Sequence, residues 1–357
     1  MMRYVMNNVA ANHKTECDER LRHERVPLWV GVRGLMGAFL FSAMTGCLQA
    51  QSPAKPQVPP GDHELSLKVG ELERRYIVHV PSGYDGKKAM PVVIMFHGGG
   101  GTARGAMRET SWAQKADREG FLAVFPEAMP PDSDKPSRFG TNGQSWNDGS
   151  GRFHSGERDI ADIAFVGAML DDLESRFMVD KRRVYATGFS NGAAMTFRVG
   201  AELPGRVVAV APFAGSMWVK PMKSNQPVSI YVISGDADPL NPLEGGLPKF
   251  ATGTPVRTGT PRSKPPLRDA VAAWAAAFDC NAESRQMSAP PGVTTLVHDG
   301  GRDGVEVRFT VIQGHGHIWP GGRNQLPERM VGKASDAFNA TDAIWEFFRE
   351  HARRVGN

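Results

Sequence analysis

The sequence predicts an α/β fold in which a mostly parallel central sheet is covered by helices on both faces. From about residue 91 onward, short and continuously apolar runs alternate with longer segments of helical periodicity, the pattern of buried parallel strands joined by helices. Hydrophobic residues make up 41% of the 357 residues, which is enough for a sizeable core. Since no internal repeat or second core pattern is present, we expect one domain over residues 62–357.

A hairpin is predicted to open this domain. Glu64 to Val69 and Arg75 to Val80 alternate apolar and polar residues on either side of a turn at Gly70. Six later runs are predicted to be strands: Pro91 to Phe96, Phe121 to Phe125, Val184 to Phe189, Val207 to Ala211, Val228 to Ile233 and Val305 to Ile312. Four segments are predicted to be helices: Ile160 to Phe177, Asn191 to Leu203, Pro266 to Asp279 and Ala337 to His351.

Residues 1–47 are predicted to be a signal peptide. An apolar run from Gly34 to Thr45 follows Arg33 and ends at small residues, as the core of an export signal does. Met44 to Cys47 resembles a bacterial lipoprotein processing box, with Cys47 as a possible lipid anchor to the membrane; ordinary cleavage near Ala50 is the alternative. We expect an exported protein that is periplasmic, an outer-membrane lipoprotein or extracellular.

The next segment, residues 48–61, is predicted to be a proline-rich linker without apolar periodicity. The net charge is +4, and no dense stripe of Lys and Arg is present, so nucleic acid is not an expected partner. Of the three cysteines only Cys280 lies beyond the predicted signal, which leaves no pair for an internal disulfide.

A candidate nucleophile lies in the sequence GFSNG, Gly188 to Gly192. This G-x-S-x-G pattern directly follows one predicted strand and opens one predicted helix, the position of a nucleophile elbow. Ser190 is therefore the candidate catalytic serine. The alternative is a glycine-bounded serine that only caps the helix.

A glycine-rich segment, His97 to Gly101, follows another predicted strand. Successive glycines allow backbone N–H groups to converge on an oxyanion, so we expect Gly99 or Gly98 to supply one donor and Asn191 the other. A merely flexible loop is the alternative. We expect His97 to be a structural hydrogen-bonding residue rather than a base.

In this type of fold an acid follows the serine, and a histidine comes last. Asp236 and Asp238 follow the strand Val228 to Ile233, and the proline after Asp238 favours Asp238 because it fixes a tight loop. His315 or His317, in the sequence GHGHIWPGG, is the candidate base. A metal site at the paired histidines is the alternative, but no carboxylate or cysteine lies at a suggestive spacing, so we expect no metal and no cofactor.

These motifs together resemble the polyhydroxybutyrate depolymerase and feruloyl esterase family, single-domain bacterial α/β-hydrolases, over about residues 62–352. The resemblance implies the α/β-hydrolase fold, with Asp238 as the catalytic acid and His317 as the catalytic histidine. His315 is then only a neighbour. The chain departs from the family in the residues before Cys280, and we expect no appended polymer-binding domain.

The function implied is that of a serine ester hydrolase working through an acyl-enzyme on short hydroxyalkanoate esters. A feruloyl or acetyl esterase acting on plant polysaccharide is one alternative, and a non-catalytic ligand-binding lipoprotein is another. Trp146 and Trp319 are predicted to line the substrate pocket, although both could instead be core residues. Leu240 to Pro265 is predicted to be an irregular rim over that pocket.

Overall fold

The computed structural model describes residue 55 and residues 58–224, 226–253 and 262–353. These residues belong to one compact unit, Ser52–Asn357. The predicted signal peptide, with Cys47, and most of the predicted linker lie outside the described residues. Within the described ranges, no helix has both the length and the apolar character that crossing a bilayer requires.

The centre of the molecule is a sheet in which the described residues supply ten strands. They are β1 (Gly61–Val69), β2 (Leu72–Val80), β3 (Met90–Phe96), β4 (Leu122–Pro126), β5 (Val179–Phe189), β6 (Ala209–Phe213), β7 (Ser229–Gly235), β8 (Arg285–Met287), β9 (Val293–His298) and β10 (Val307–Ile312). Their spatial order is β1-β2-β4-β3-β5-β6-β7-β10-β9-β8. The six strands from β4 to β10 in that order are parallel, and antiparallel pairs close both edges.

Helices cover both faces of this sheet. They are α1 (Ala103–Thr110), α2 (Trp112–Glu119), α3 (Phe153–Glu157), α4 (Asp162–Arg176), α5 (Asn191–Glu202), α6 (Leu267–Ala277), α7 (Glu328–Val331) and α8 (Ala340–Glu350). Apolar side chains of α4, α5 and α6 pack into one hydrophobic cluster, and those of α1, α2 and α8 pack into a second. In β7 the side chains alternate between the two clusters, because successive residues of a strand point to opposite faces.

The predicted fold class, the opening hairpin and all six predicted later strands are confirmed, with strand bounds that shift by a few residues. The four predicted helices are present as α4, α5, α6 and α8. The sequence did not predict the short helices α1, α2, α3 and α7 or the antiparallel edge formed by β8 and β9. The described part of the predicted rim, 240–253 and 262–265, is irregular, with one β-bridge between Gly246 and Lys264.

Candidate active site

Ser190 lies in a sharp turn between β5 and α5. Its backbone has φ 58° and ψ −116°, a region that a residue with a side chain rarely adopts. The N–H of Ser190 donates to the Phe213 carbonyl at 3.0 Å, which ties the turn to the neighbouring strand β6. Ser190 is half-buried, so its hydroxyl lies near the surface at the carboxyl edge of the sheet. This is the strained strand-turn-helix geometry of a nucleophile elbow.

The two glycines of the motif are required by close backbone packing. A Cβ on Gly188 would lie 2.3 Å from the Gly192 carbonyl oxygen. A Cβ on Gly192 would lie 2.2 Å from the carbonyl oxygen of Phe96, at the end of β3. Both distances are far below van der Waals contact, so only glycine allows β5, the turn and β3 to approach this closely.

His317 and Asp238 form a buried pair at the same edge of the sheet. The Nδ1–H of His317 donates to Asp238 Oδ2 at 2.7 Å, and the two residues are 4% and 3% exposed. Asp238 Oδ1 accepts from the backbone N–H groups of Leu240 at 2.9 Å and Asn241 at 2.7 Å. Because both carboxylate oxygens are held, the aspartate fixes the orientation and the tautomer of the imidazole.

The other two candidates for acid and base lie elsewhere. Asp236 is exposed and accepts from the Gly314 N–H at 2.6 Å. His315 is fully buried, and both of its ring nitrogens bond to backbone, Nε2 to the Ile318 carbonyl and Nδ1 to the Ser335 N–H. Burial lowers the pKa of His315, which keeps it neutral. The structure thus pairs Asp238 with His317 and gives Asp236 and His315 structural roles in the loops.

Phe189 connects the elbow to the histidine. This residue immediately precedes Ser190, and its ring lies 4.7 Å from the imidazole of His317 between centroids. The strand end that carries the serine is therefore in direct contact with the loop that carries the histidine. Ser190, Asp238 and His317 are brought to one edge of the sheet from three separate loops.

The glycine-rich loop after β3 lies against the elbow. A Cβ built on Gly98 would be 3.5 Å from the Ser190 Cβ, and one on Gly99 would be 3.6 Å from the Asn191 Cβ. In the described chain the N–H of Gly99 has no hydrogen-bond acceptor, whereas the next N–H, of Gly100, donates to the Gln144 carbonyl. The N–H of Asn191 is the first in α5 and has no acceptor within that helix. These are the two donors predicted for the oxyanion.

The side chain of Asn191 has a role that the sequence did not indicate. Its Oδ1 accepts from the Trp146 N–H at 2.7 Å, and its Nδ2 donates to Asp148 Oδ2 at 2.9 Å. Asp148 is 1% exposed and also pairs with Arg152 at 3.0 Å. The loop around residue 147 is thereby locked to the start of α5. Its run Ser-Trp-Asn-Asp-Gly was the only signal in the sequence for this buried network.

The prediction that Trp146 and Trp319 line the pocket is wrong. They are 0% and 1% exposed, and both belong to the hydrophobic clusters on either side of the sheet. Each indole N–H has an internal acceptor, the His97 carbonyl for Trp146 and the Thr341 hydroxyl for Trp319, both at 3.0 Å. Fully buried indole groups whose N–H groups have internal acceptors are core residues, which was the alternative.

An exposed phenylalanine, Phe139, and a half-buried one, Phe153, lie beside the glycine-rich loop instead. The ring of Phe139 is close enough to Gly100 that a Cβ there would be 2.6 Å from Phe139 Cδ2, and Phe139 is 59% exposed. Phe153 Cζ lies 3.9 Å from the position of a Cβ on Gly99, and Phe153 has a positive φ of 61°. Exposed aromatic surface and a strained backbone therefore lie next to the candidate oxyanion donors.

No group of three or more His, Cys, Asp or Glu side chains with the arrangement of a metal site occurs in the ranges that the structure describes. His315 and His317, the pair considered for a metal, point their ring nitrogens to different partners.

Comparisons with known proteins agree with this geometry. Residues 82–246 match the model of the dienelactone hydrolase family. The putative esterase NocK of Nocardia uniformis subsp. tsuyamanensis is 28% identical over 285 residues, which are 77% of this chain and 78% of NocK. Feruloyl esterase B of Piromyces equi is 27% identical over 249 residues, 68% of this chain but only 42% of that protein. The structure of the acetyl xylan esterase from Aspergillus awamori superposes with a TM-score of 0.51 at 15% identity, covering 72% of this chain and 94% of that one.

The fold, the site and these similarities define the protein as an α/β-hydrolase of the carboxylic ester hydrolase class. Residues 82–246, which include Ser190 and Asp238, are the part of the chain that is similar to the dienelactone hydrolase family. The resemblance inferred from the sequence is thereby confirmed for the fold and for the esterase and feruloyl esterase relatives. The depolymerase part of that resemblance stays a prediction.

Proposed function

We propose that the protein hydrolyses carboxylic esters through an acyl-enzyme, with Ser190 as nucleophile, His317 as base and Asp238 as the residue that orients the base. The observation that carries this proposal is the buried bond of 2.7 Å between Asp238 and His317, at the same sheet edge as a serine in the strained elbow conformation whose neighbour Phe189 contacts the imidazole. A buried carboxylate and imidazole next to a serine at a positive φ is the arrangement that acyl transfer needs.

The chemistry follows from the hydrogen bonds. Since Nδ1–H of His317 donates to Asp238, the lone pair of Nε2 is free to take the proton of the Ser190 hydroxyl. The serine oxygen attacks the ester carbonyl carbon, and the N–H groups of Gly99 and Asn191 stabilise the oxyanion. The imidazolium then protonates the leaving alcohol. Water, deprotonated by His317, attacks the acyl-enzyme and releases the acid and the free serine.

The first test is Ser190→Ala. We expect kcat/KM for p-nitrophenyl acetate to fall about 10³-fold or more, because the nucleophile is lost while the fold is kept. The wild-type protein should take up one fluorophosphonate per chain, and the variant none. Folded wild-type protein that takes up no label would overturn the proposal and would favour a non-catalytic binding protein.

For the substrate, we propose an ester of an aromatic acid, of the feruloyl type. The relatives that include feruloyl esterase B support it, and so does the exposed ring of Phe139 beside Gly100, a surface on which a planar aromatic acyl group can stack. Short hydroxyalkanoate esters and acetyl esters of plant polysaccharide are the competing substrates. An acetyl group has no ring that could stack on Phe139 in the same way.

This substrate proposal is tested by comparing kcat/KM for methyl ferulate, p-nitrophenyl acetate and 3-hydroxybutyrate oligomers in the wild type and in Phe139→Ala. We expect methyl ferulate to be preferred and to lose about 5- to 30-fold in the variant, roughly 1–2 kcal/mol of aromatic contact. The acetyl ester is the internal control and should change less than twofold. A preference for hydroxybutyrate oligomers, unchanged in the variant, would identify that ester class instead.

Export is part of the same proposal and rests on the sequence of residues 1–47 alone. Two kinds of processing are open, lipidation and ordinary cleavage of the signal peptide. They are distinguished by expressing the protein in a bacterium and determining the mass of the mature N-terminus. A diacylglyceryl group on Cys47 would indicate a lipoprotein, and an unmodified terminus near Gln51 would indicate ordinary cleavage.

A further inference from the structure

Lys264 is a buried lysine without a carboxylate partner. The residue is 9% exposed, and its Nζ donates at 2.8 Å to Oδ1 of Asn241, a neutral amide. Within the described ranges no carboxylate oxygen lies within 4.0 Å of this nitrogen. Ammonium groups are almost never buried unless they are paired with a negative charge. Burying a cation that is bound only by a neutral amide lowers the stability of the fold. Proteins typically retain such an unfavourable group at a functional site.

A continuous series of hydrogen bonds leads from Lys264 to the base. Asn241 Oδ1 accepts from Lys264 and also from the Ser216 hydroxyl at 2.9 Å, so the amide is held from two sides. The backbone N–H of Asn241 donates to Asp238 Oδ1 at 2.7 Å, and Asp238 Oδ2 accepts from His317. Asn241 and Asp238 are therefore the two residues that connect the ammonium of Lys264 with the imidazole of His317.

Among the described residues, three charged groups affect the pKa of Lys264, namely Arg152, Asp238 and Asp148. Both carboxylates are already engaged, Asp238 with His317 and Asp148 with Arg152 and Asn191. Burial, followed by the positive charge of Arg152, lowers the pKa of Lys264 to about 7. The ammonium is therefore charged throughout the mildly acidic range, where a catalytic histidine loses or gains its proton.

We propose that Lys264 is a positioning residue for ester hydrolysis, which holds the Asp238 loop through Asn241 and places a positive charge near that aspartate. A positive charge near an imidazole disfavours the imidazolium, and it favours the ionised form of the intervening aspartate. The first effect extends activity to lower pH, and the second keeps the aspartate able to accept the hydrogen bond that orients the base. This inference rests on the proposed function, because it concerns the same base and acid.

The test is the pH profile of kcat/KM in Lys264→Met, which keeps an unbranched side chain and removes the charge. We expect the acidic limb to move up by about 0.5 to 1 pH unit, because the base is easier to protonate without the neighbouring cation. Lys264→Arg, which keeps the charge, should retain the wild-type limb. Lys249→Met is the matched control, since Lys249 lies exposed on the same segment and its removal should leave the limb unchanged.

Thermal stability gives a second readout. If Lys264 only stabilised the fold, its replacement would lower Tm, whereas we expect Tm to rise. Since the pKa of Lys264 lies below its unfolded value, burying the charge costs stability at pH below 7, and this cost is relieved as pH rises above 7. Lys264→Met should therefore gain most in Tm over the wild type at pH 6, with a smaller gain at pH 9. An unchanged acidic limb with a lower Tm at every pH would overturn the proposal. Fluorophosphonate labelling of Ser190 in the same samples shows whether the proposed function stands independently.

Discussion

Two aspartates only two positions apart in the chain have different environments. Asp238 is buried, and each of its oxygens accepts a hydrogen bond from the histidine or from the backbone of its own loop. Asp236 is exposed and accepts from the Gly314 N–H. The difference arises because the loop after β7 turns at Asp238-Pro239 and directs one carboxylate inward.

This pair allows a matched substitution. Asp238→Asn should lower kcat about 10³- to 10⁴-fold, because the amide leaves the imidazole in the wrong tautomer. Asp236→Asn should leave kcat within about twofold, since an amide oxygen can still accept from the Gly314 N–H. Steady-state kinetics on a p-nitrophenyl ester measures both. Equal losses in the two variants would contradict the assignment of Asp238.

At the scale of single residues, local motifs in the sequence indicated which candidate side chains the fold brings to one edge of the sheet. The elbow serine follows from five consecutive residues in a strand-turn-helix context, and the proline after Asp238 marks the inward carboxylate. It did not predict the burial of Trp146 and Trp319, because exposure depends on which strands and helices pack around a ring. The relation of Lys264 to Asp238 was missed for the same reason, since Asn241 joins them only in the folded chain.

Among the elements, β5 and α5 meet at a closely packed junction. The start of α5 lies directly on the end of β3, with the Gly192 Cα position next to the Phe96 carbonyl. Close packing here sets the distance between the elbow and the glycine-rich loop that follows β3. The geometry of the oxyanion donors therefore depends on a contact between two elements rather than on the loop alone.

Gly192→Ala should disturb this junction. The added methyl group would overlap the Phe96 carbonyl, so we expect a loss of about 1–3 kcal/mol in the free energy of unfolding and a fall in kcat. Gly167→Ala in the middle of α4 is the control, because nothing lies within 4 Å of its new methyl group. There the helix should gain about 0.5–1 kcal/mol. Urea denaturation measures both, and a neutral Gly192→Ala would show that the junction can relax.

The elements that the sequence failed to predict are short or lie at an edge. The helices α1 and α2 have eight residues each and are separated by Ser111 in a left-handed conformation with φ 57°. Neither run is long enough to establish a helical period by itself. The strand β8 has three residues, and β9 has alternating burial at the end of the sheet, so neither shows the continuous apolar run of the central strands.

For the molecule as a whole, buried ionisable groups make stability depend on pH. Burial raises the pKa of Glu109, on α1, from 4.5 to about 7. Because the folded pKa is above the unfolded value, the stability that comes from the neutral carboxyl is fully present below pH 4.5. It is lost as pH rises through 7, when the folded protein must bury a charge.

Glu109→Gln removes this ionisation and is expected to raise Tm at pH 8, where the wild-type carboxylate is charged. The gain should shrink toward pH 4.5, because both side chains are then neutral in the folded protein. Thermal unfolding at the two pH values measures the difference. The same change in Tm at both would mean that Glu109 titrates as it does in the unfolded chain.

The order of the site residues along the chain has a consequence for the time at which activity first appears. Asp238 and His317 are 79 residues apart, and the histidine follows β10, which inserts between β7 and β9. During synthesis, the serine and its elbow emerge well before the strand that delivers the imidazole. A growing polypeptide with only its first strands assembled therefore holds a serine that has no base, and hydrolysis becomes possible only when the last parallel strand has docked.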